Sequence, residues 1–381
     1  MPQIRLVDSE ISIGGQSLPV LTWRTTSGSD GTIGTFEATS SIAFLRSEGV
    51  DVIAASQTES GAAFDFYAGY DGNTQLLFSG VMDECKWKWK HDTVTFNGRD
   101  HGATLADQKK VISKINYKNQ TISQIAQQIA DAYDMDAEIT PTDIKAGPEM
   151  YGENTLTPHP QPWWSLLQSL AGQIGYDVHI TPDGKLHFGP ADPQGDIEVS
   201  WMMPPADKPK NPLIDLETSY SPRNNSDVEV KIVSYHPQTT KKITATATAK
   251  SSKVKGKNRK SKTTTVKSTG KSGAKSAGAK PTKKNVHTFH MDGLTNDAAK
   301  EKAQSIADDI AKRQVIQTCE IEGLPEIKVH SKLKIKCGTD DLLGFENLDY
   351  TVNSVEHTYH FPEGGDGGWT THFTALGNID S

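Results

Sequence analysis

Residues 76–109 read LLFSGVMDECKWKWKHDTVTFNGRDHGATLADQK, and the parsing of this stretch decides that of the whole chain. An apolar strand ends at Ser79-Gly80-Val81. A charged connection and a second, alternating strand follow, then Gly98-Arg99-Asp100 and a return to apolar residues at Leu105. Trp87 and Trp89 alternate with Lys86, Lys88 and Lys90, and Val94 and Phe96 with Thr93 and Thr95. Such alternation gives a strand one apolar and one wet face. The pattern predicts the closing hairpin of a small β-barrel, with the entry to a different domain beyond it. Aromatics among lysines also suit a nucleic-acid platform, but period-2 alternation favours an ordinary strand.

Upstream, residues 1–104 read as strands. Ile4, Leu6, Ile11 and Ile13 surround a Gly14-Gly15 turn, and a Gly/Ser/Thr loop runs from Thr25 to Gly34. Asp71-Gly72-Asn73 is a hairpin turn, because these residues tolerate positive φ. A short helix over 41–48 is weakly signalled. Residues 105–200 change character. Thr121-Ile122-Ser123-Gln124 forms a capping box ahead of Ile122, Ile125, Ile129 and Tyr133 at helical spacing. A second helix starts near Pro162, carries Trp163, Leu166, Leu167, Leu170 and Ile174, and stops at Gly175. A hairpin turning at Pro182-Asp183-Gly184 completes a small α+β domain. Residues 201–381 return to strands around one helix, which Thr295 caps and which bears Ala299, Ala303, Ile306, Ala307 and Ile310. Gly364 to Gly368 reads as a hairpin loop.

The length of 381 residues fits two to three domains. No apolar run approaches a membrane span, and the N-terminus lacks the apolar core of a secretory signal. Retention in a cytoplasm, or exit inside a larger assembly, is therefore expected. Cys85, Cys319 and Cys337 are odd in number and widely spaced, which favours free thiols. The net charge of −7 hides an asymmetry: residues 241–286 hold 15 Lys and Arg and no acid. Removing these 15 from the 40 basic residues leaves 25 against 47 acidic ones, a net of −22. An acidic body grips phosphate poorly. The basic stretch buries nothing and is expected to be a flexible insertion. Its candidate roles are a solvated, tolerated loop or a segment that binds DNA, a nucleoid-like partner or an anionic surface.

The stretches SGVMD, FNGRD and LADQK resemble the end of the first domain of baseplate hub proteins of contractile-tailed bacteriophages. TISQIAQQIADAY and WWSLLQSLAGQIGYDVHITPDGKLHFG resemble their central domain, and YTVNSVEHTYHFPEGGDGGWTTHFTALG their final hairpin. Relatives include late control protein D and the hub part of type VI secretion spikes. The resemblance implies an α+β, mainly β fold: two tail-tube-like β-barrels, residues 1–104 and 201–381, flanking a central α+β domain, residues 105–200. The second barrel is interrupted by the basic insertion at 241–286, for which the resemblance adds the role of a loop reaching the acidic surface of a neighbouring hub, tube or spike subunit.

The family role is a homotrimer whose six barrels adapt a six-fold tube to a three-fold spike. Implied partners are the tail tube or tube-initiator protein, the central spike protein, baseplate wedge proteins and the tape-measure protein. DNA is only passing cargo, and no membrane insertion is implied. The expected place is the virion tail baseplate, after assembly in the host bacterial cytoplasm. A spike would be a separate protein, since this chain ends just past the last strand. Alternatives are the hub of a type VI secretion or phage-tail-like injection particle and, from another class, a tail-associated peptidoglycan hydrolase.

No catalytic, cofactor-binding or metal-binding residue is assigned, and no enzymatic activity or cofactor is expected. His287 and His290, like His357 and His360, lie three apart without the carboxylate or Cys companions of a zinc site. In a strand that spacing puts His357 and His360 on opposite faces. Arg99 beside Asp100 reads as a local ion pair or turn. No nucleophile elbow is present, and Gly14-Gly15 lacks the lysine and helix of a phosphate loop. No carboxylate has a context marking it as a hydrolase acid or base.

Overall fold

The computed structural model describes residues 6–53, 63–108, 120–145, 162–191, 194–222, 228–235, 242–248, 286–290, 296–338, 342, 344–360 and 368–379. The fold is mainly β. Its strands are β1 (Val7–Ile13), β2 (Gln16–Pro19), β3 (Thr22–Gly28), β4 (Thr35–Ser41), β5 (Ala63–Tyr70), β6 (Asn73–Lys88), β7 (Thr93–Asp100), β8 (Ala137–Ile139), β9 (Asp177–Ile180) and β10 (Leu186–Gly189). They continue as β11 (Gln194–Trp201), β12 (Leu213–Tyr220), β13 (Glu229–Tyr235), β14 (Lys242–Thr248), β15 (Val286–His290), β16 (Val315–Glu322), β17 (Ser331–Cys337), β18 (Tyr350–His360) and β19 (Gly368–Gly377).

One large sheet runs β12-β16-β19-β18-β3-β4-β7-β6-β5-β1-β2. β17 also pairs with β18, and β11 lies parallel to β17. The N-terminal strands wrap an aromatic core in which Phe36, Phe64, Phe66 and Phe78 pack ring on ring. The sheet curls back on itself there: Leu21 N–H donates to Thr39 O at 2.7 Å and Ser40 Oγ to Pro19 O at 2.6 Å. Gly98 permits the close approach at this core, since a Cβ would lie 2.6 Å from the Phe64 ring.

The C-terminal strands enclose a second core around Leu333, Ile335, Tyr350, Val352 and Phe373. The two halves join through β3 and β18, antiparallel from Ser354↔Gly28 to Tyr359↔Trp23. Trp23 packs on Trp369 at 5.2 Å between ring centroids, and Trp369 on Tyr70 at 5.1 Å. The seam is thus both hydrogen-bonded and apolar.

Two smaller units complete the fold. The helices Ile122–Ala132 and Trp163–Ile174 pack on the sheet β8-β10-β9 around Ile125, Leu166, Leu170 and Phe188. The capping box forms as expected, Gln124 N–H donating to Thr121 Oγ1 at 3.2 Å and Thr121 N–H to Gln124 Oε1 at 2.9 Å. Gly175 ends the second helix in the left-handed region at φ 73. The helix Asn296–Lys312 lays Ala299, Ala303, Ala307 and Ala311 on the sheet β14-β13-β15. No helix among the described residues is long and apolar enough to cross a membrane.

Several expectations need correction. The charged connection after Val81 is no connection: β6 runs through it to Lys88, with a bulge between Met82 and Glu84. The turn falls later, at the short 3₁₀ segment Trp89–His91. Trp87 packs against the first core, whereas Trp89 has left the strand and is 69% exposed. Arg99 does not pair with Asp100. They occupy adjacent positions in β7, so their side chains face opposite ways.

The stretch beginning at 241 is not wholly an insertion, because Lys242–Thr248 forms β14, pairing with β13. Its Lys-Ile-Thr-Ala-Thr-Ala-Thr alternation sets Ile243, Ala245 and Ala247 against the alanine helix. The basic residues from 249 to 285, Thr295 and residues 361–367, which include most of the expected hairpin loop, lie outside the described residues. β11 spans position 200 and pairs with the C-terminal β17.

Candidate functional site

The loop of residues 29–34, between β3 and β4, is where three of the cores are tied together. Asp30 and Gly31 reverse the chain at φ 59 and 75, a conformation that Asp tolerates and Gly adopts freely. The reversal turns the loop's polar backbone toward partners on other elements. Asp30 N–H donates to Asp177 Oδ1 at 2.6 Å, and Gly31 N–H to Val178 O at 2.8 Å. Gly31 O accepts from Trp164 Nε1 at 2.7 Å and from Gln168 Nε2 at 2.9 Å. Ile33 packs on the core of the central unit.

The C-terminal half holds the same loop from its other end. Ser29 N–H donates to Asn353 O at 2.9 Å, and Ser29 Oγ to Asn353 Oδ1 at 2.6 Å. Arg313 Nη2 pairs with Asp30 Oδ2 at 2.9 Å. The N-terminal sheet closes the loop through Asp100, whose Oδ2 accepts Gly34 N–H and whose Oδ1 accepts Gly102 N–H at 2.8 Å. Burial pushes the Asp100 carboxyl up to about 7, against the pull of these backbone donors and Arg99.

Behind the loop stands a buried polar cluster. Asp177 and His179, two apart on β9, share a face. Asp177 Oδ2 lies 2.7 Å from His179 Nδ1 and 3.0 Å from His330 Nε2. His330 comes from the turn before β17 and holds φ 68. His187 faces His179 across the β9–β10 ladder. Burial alone raises the Asp177 carboxyl, but the hydrogen bonds and charges of His179 and His330 outweigh it and hold the group well below the usual carboxylate range. Donor atoms of Asp177, His179 and His330 all lie within 4.8 Å of one another, so among the described residues these three could hold a metal.

The residues singled out in the sequence lie elsewhere. His287 and His290 sit on β15, where both are exposed. His357 is buried, its Nδ1 2.9 Å from Thr371 Oγ1, while His360 is exposed. Arg99 forks between Asp83 at 2.7 Å and Asp107 at 2.8 Å, and these carboxylates hold its guanidinium well above its ordinary range. His101 Nε2 meets Ser79 Oγ at 3.2 Å under the Gly184 turn. Arg99, Asp100 and His101 therefore diverge and form no acid/base cluster. The Asp–His cluster was not found in the sequence, since His330 lies far from Asp177 along the chain. The only local signals were the Asp-x-His spacing at 177–179 and the Asp30-Gly31 turn dipeptide.

No family model matches the chain, and no curated protein matches it. Solved structures do. A tail protein from Neisseria meningitidis MC58 superimposes with a TM-score of 0.60 at 14% identity, covering 98% of this chain and 96% of that one. The 43 kDa tail protein of prophage MuSo2 from Shewanella oneidensis gives 0.62 at 14% identity, with 97% and 98% covered. The E. coli c3393 protein, described as a type VI secretion component with structural similarity to T4 bacteriophage tail proteins gp27 and gp5, gives 0.51 at 13% identity, with 96% and 76% covered. At such identities the likeness is one of fold, and nearly the whole chain shares its fold with these tail proteins.

Proposed function

We propose that this chain is the structural baseplate hub of a phage contractile tail: a homotrimer that joins a six-fold tail tube to a three-fold central spike around a channel for DNA. The observation that carries this reading is the β3–β18 pairing, which fuses two curled β units of one chain into a continuous sheet. One subunit then offers two β units side by side, and three subunits offer six. On this reading residues 1–104 and 201–381 are the two tube-like barrels, β11 packs with the second, and residues 105–200 brace the pair. Fold likeness to two tail proteins, each covered almost end to end, supports the assignment.

The proposed role is mechanical and non-enzymatic, and it demands stiffness. The hydrogen-bond ladder through the seam and the tied loop at residues 29–34 supply it. Partners on this reading are tube, spike, wedge and tape-measure proteins, with the virion tail as the location. An acidic surface would repel phosphate and let DNA pass without sticking. Native mass measurement, with and without a matching spike protein, tests the proposal. Three copies per particle, and a complex with the spike, are expected. A strictly monomeric chain that binds neither spike nor tube protein overturns it.

A further inference from the structure

The Asp177–His179–His330 cluster has a geometry that bracing alone does not require. Both imidazole nitrogens converge on the same oxygen, Asp177 Oδ2, at 2.7 and 3.0 Å. The other oxygen, Oδ1, is already taken by Asp30 N–H at 2.6 Å. All three side chains are buried, at 10% exposure or less. We propose that Asp177, His179 and His330 bind one zinc-class transition-metal dication, which pins the central unit to the C-terminal half.

Two imidazoles and a carboxylate suit a borderline metal such as zinc, whereas magnesium and calcium favour all-oxygen sites. Metal–ligand bonds of about 2.0–2.2 Å place neighbouring ligand atoms of a tetrahedron roughly 3.3 Å apart. Asp177 Oδ2 would move out by about half an ångström from each imidazole nitrogen, and the ligand atoms of the two histidines, within 4.8 Å of each other, would close to the same spacing. The ligands are also held in place. Asp177 and His179 are set by the β9 ladder, and Asp30 N–H orients the carboxylate as an outer-shell partner should. His330 keeps a backbone conformation uncommon for a residue with a side chain, and its N–H is tied to Val352 O at 2.8 Å. Such conformations persist where the surroundings enforce them, and they concentrate at functional sites. A cavity of about 240 Å³ is lined by Asp177 and His330, though not by His179, and also by Asp30, Asp309, Lys312 and Arg313. On this proposal the cavity is the way in for the ion and for a water as fourth ligand.

The test uses the full chain, stripped with chelator, dialysed and titrated with ZnCl₂ by calorimetry. Bound zinc is then counted by elemental mass spectrometry. CoCl₂ is added in parallel as a spectroscopic probe of coordination. Wild type is expected to bind one equivalent and to give the visible bands of four-coordinate cobalt. His179→Gln and His330→Asn should each weaken zinc at least about tenfold. The exposed His360→Gln control should bind as wild type does. Asn tolerates positive φ, so His330→Asn keeps its backbone and decides the matter if His179→Gln fails to fold. Wild type that binds no equivalent, or equal binding in wild type and His330→Asn, overturns the proposal and leaves the cluster a hydrogen-bonded brace.

Discussion

Asp177 accepts the backbone N–H of Asp30 at 2.6 Å across 147 residues of sequence. The same carboxylate receives two buried imidazole nitrogens, so one side chain satisfies polar groups from three parts of the chain. Asp177→Ala would take the acceptor from two buried imidazoles and from the part-buried Asp30 N–H, at about 1–3 kcal/mol for each group left unsatisfied. A loss of roughly 3 kcal/mol or more is expected from urea unfolding in the presence of chelator. Asp177→Asn, which keeps one acceptor oxygen, should recover part of it. Equal stability of wild type and the Ala variant would show that the tie is not under load.

Gly31 stands at φ 75, where a Cβ is strained, and a Cβ there would overlap the Gln168 side chain. Gly31→Ala should cost about 1–2 kcal/mol from the backbone and the displaced Gln168 hydrogen bond together. In a Gln168→Ala background the penalty should shrink, because nothing is left to displace. Thermal melts of the four proteins in this cycle measure the coupling directly; a strictly additive result would rule the contact out as its source.

The seam should be far more sensitive than the surface tryptophan. Trp23 is 2% exposed and packs on Phe66 and Trp369, so Trp23→Ala is expected to cost about 3–5 kcal/mol. Trp89 is 69% exposed, and Trp89→Ser should stay within about 0.5 kcal/mol of wild type. Chemical denaturation followed by circular dichroism separates the two. Comparable losses would mean that the β3–β18 junction is not what holds the halves together.

Two buried groups give opposite pH slopes. Burial lowers His357 to about 3, from about 6.5 in the unfolded chain. Below pH 6.5 the unfolded state therefore binds a proton that the native state refuses. The His357 contribution is full above about 6.5 and is lost as pH falls toward 3. Asp100 is raised to about 7, so between about 4 and 7 the native state holds a proton that the unfolded state has released. Its contribution is full below about 4 and is lost as pH rises to 7. Stability–pH curves should accordingly flatten on the acid side in His357→Gln, and Asp100→Asn should remove the opposite slope. A wild-type slope retained in either variant would assign it to other groups.

Local structure was legible because its causes lie within a few residues. The Thr121–Gln124 capping box, the stop at Gly175 and the Asp71-Gly72 turn each rest on side chains and φ preferences of immediate neighbours. The alternation in β7 follows from one-sided burial. The same local logic failed where position in the fold, not propensity, decided the outcome. The polar run Asp83-Glu84 stayed in β6 because a bulge absorbed it, and Trp89 left the sheet because the hairpin turned there. The Lys242–Thr248 stretch became a strand because β13 and an alanine helix were present to receive it.

The sequence by itself therefore determined that the chain is mainly β with helical interludes, where the two central helices and several turns fall, and that its charge is segregated; it read Thr25 to Gly28 as loop, where the structure has the end of β3. Tertiary structure alone decided that Thr22–Gly28 pairs with Tyr350–His360, that β11 joins β17, and that Asp177, His179 and His330 converge. Those contacts join residues far apart in sequence, and their partners are chosen by which sheet edges and apolar faces remain uncovered once each unit has formed. Nothing in a residue's neighbours along the chain carries that information.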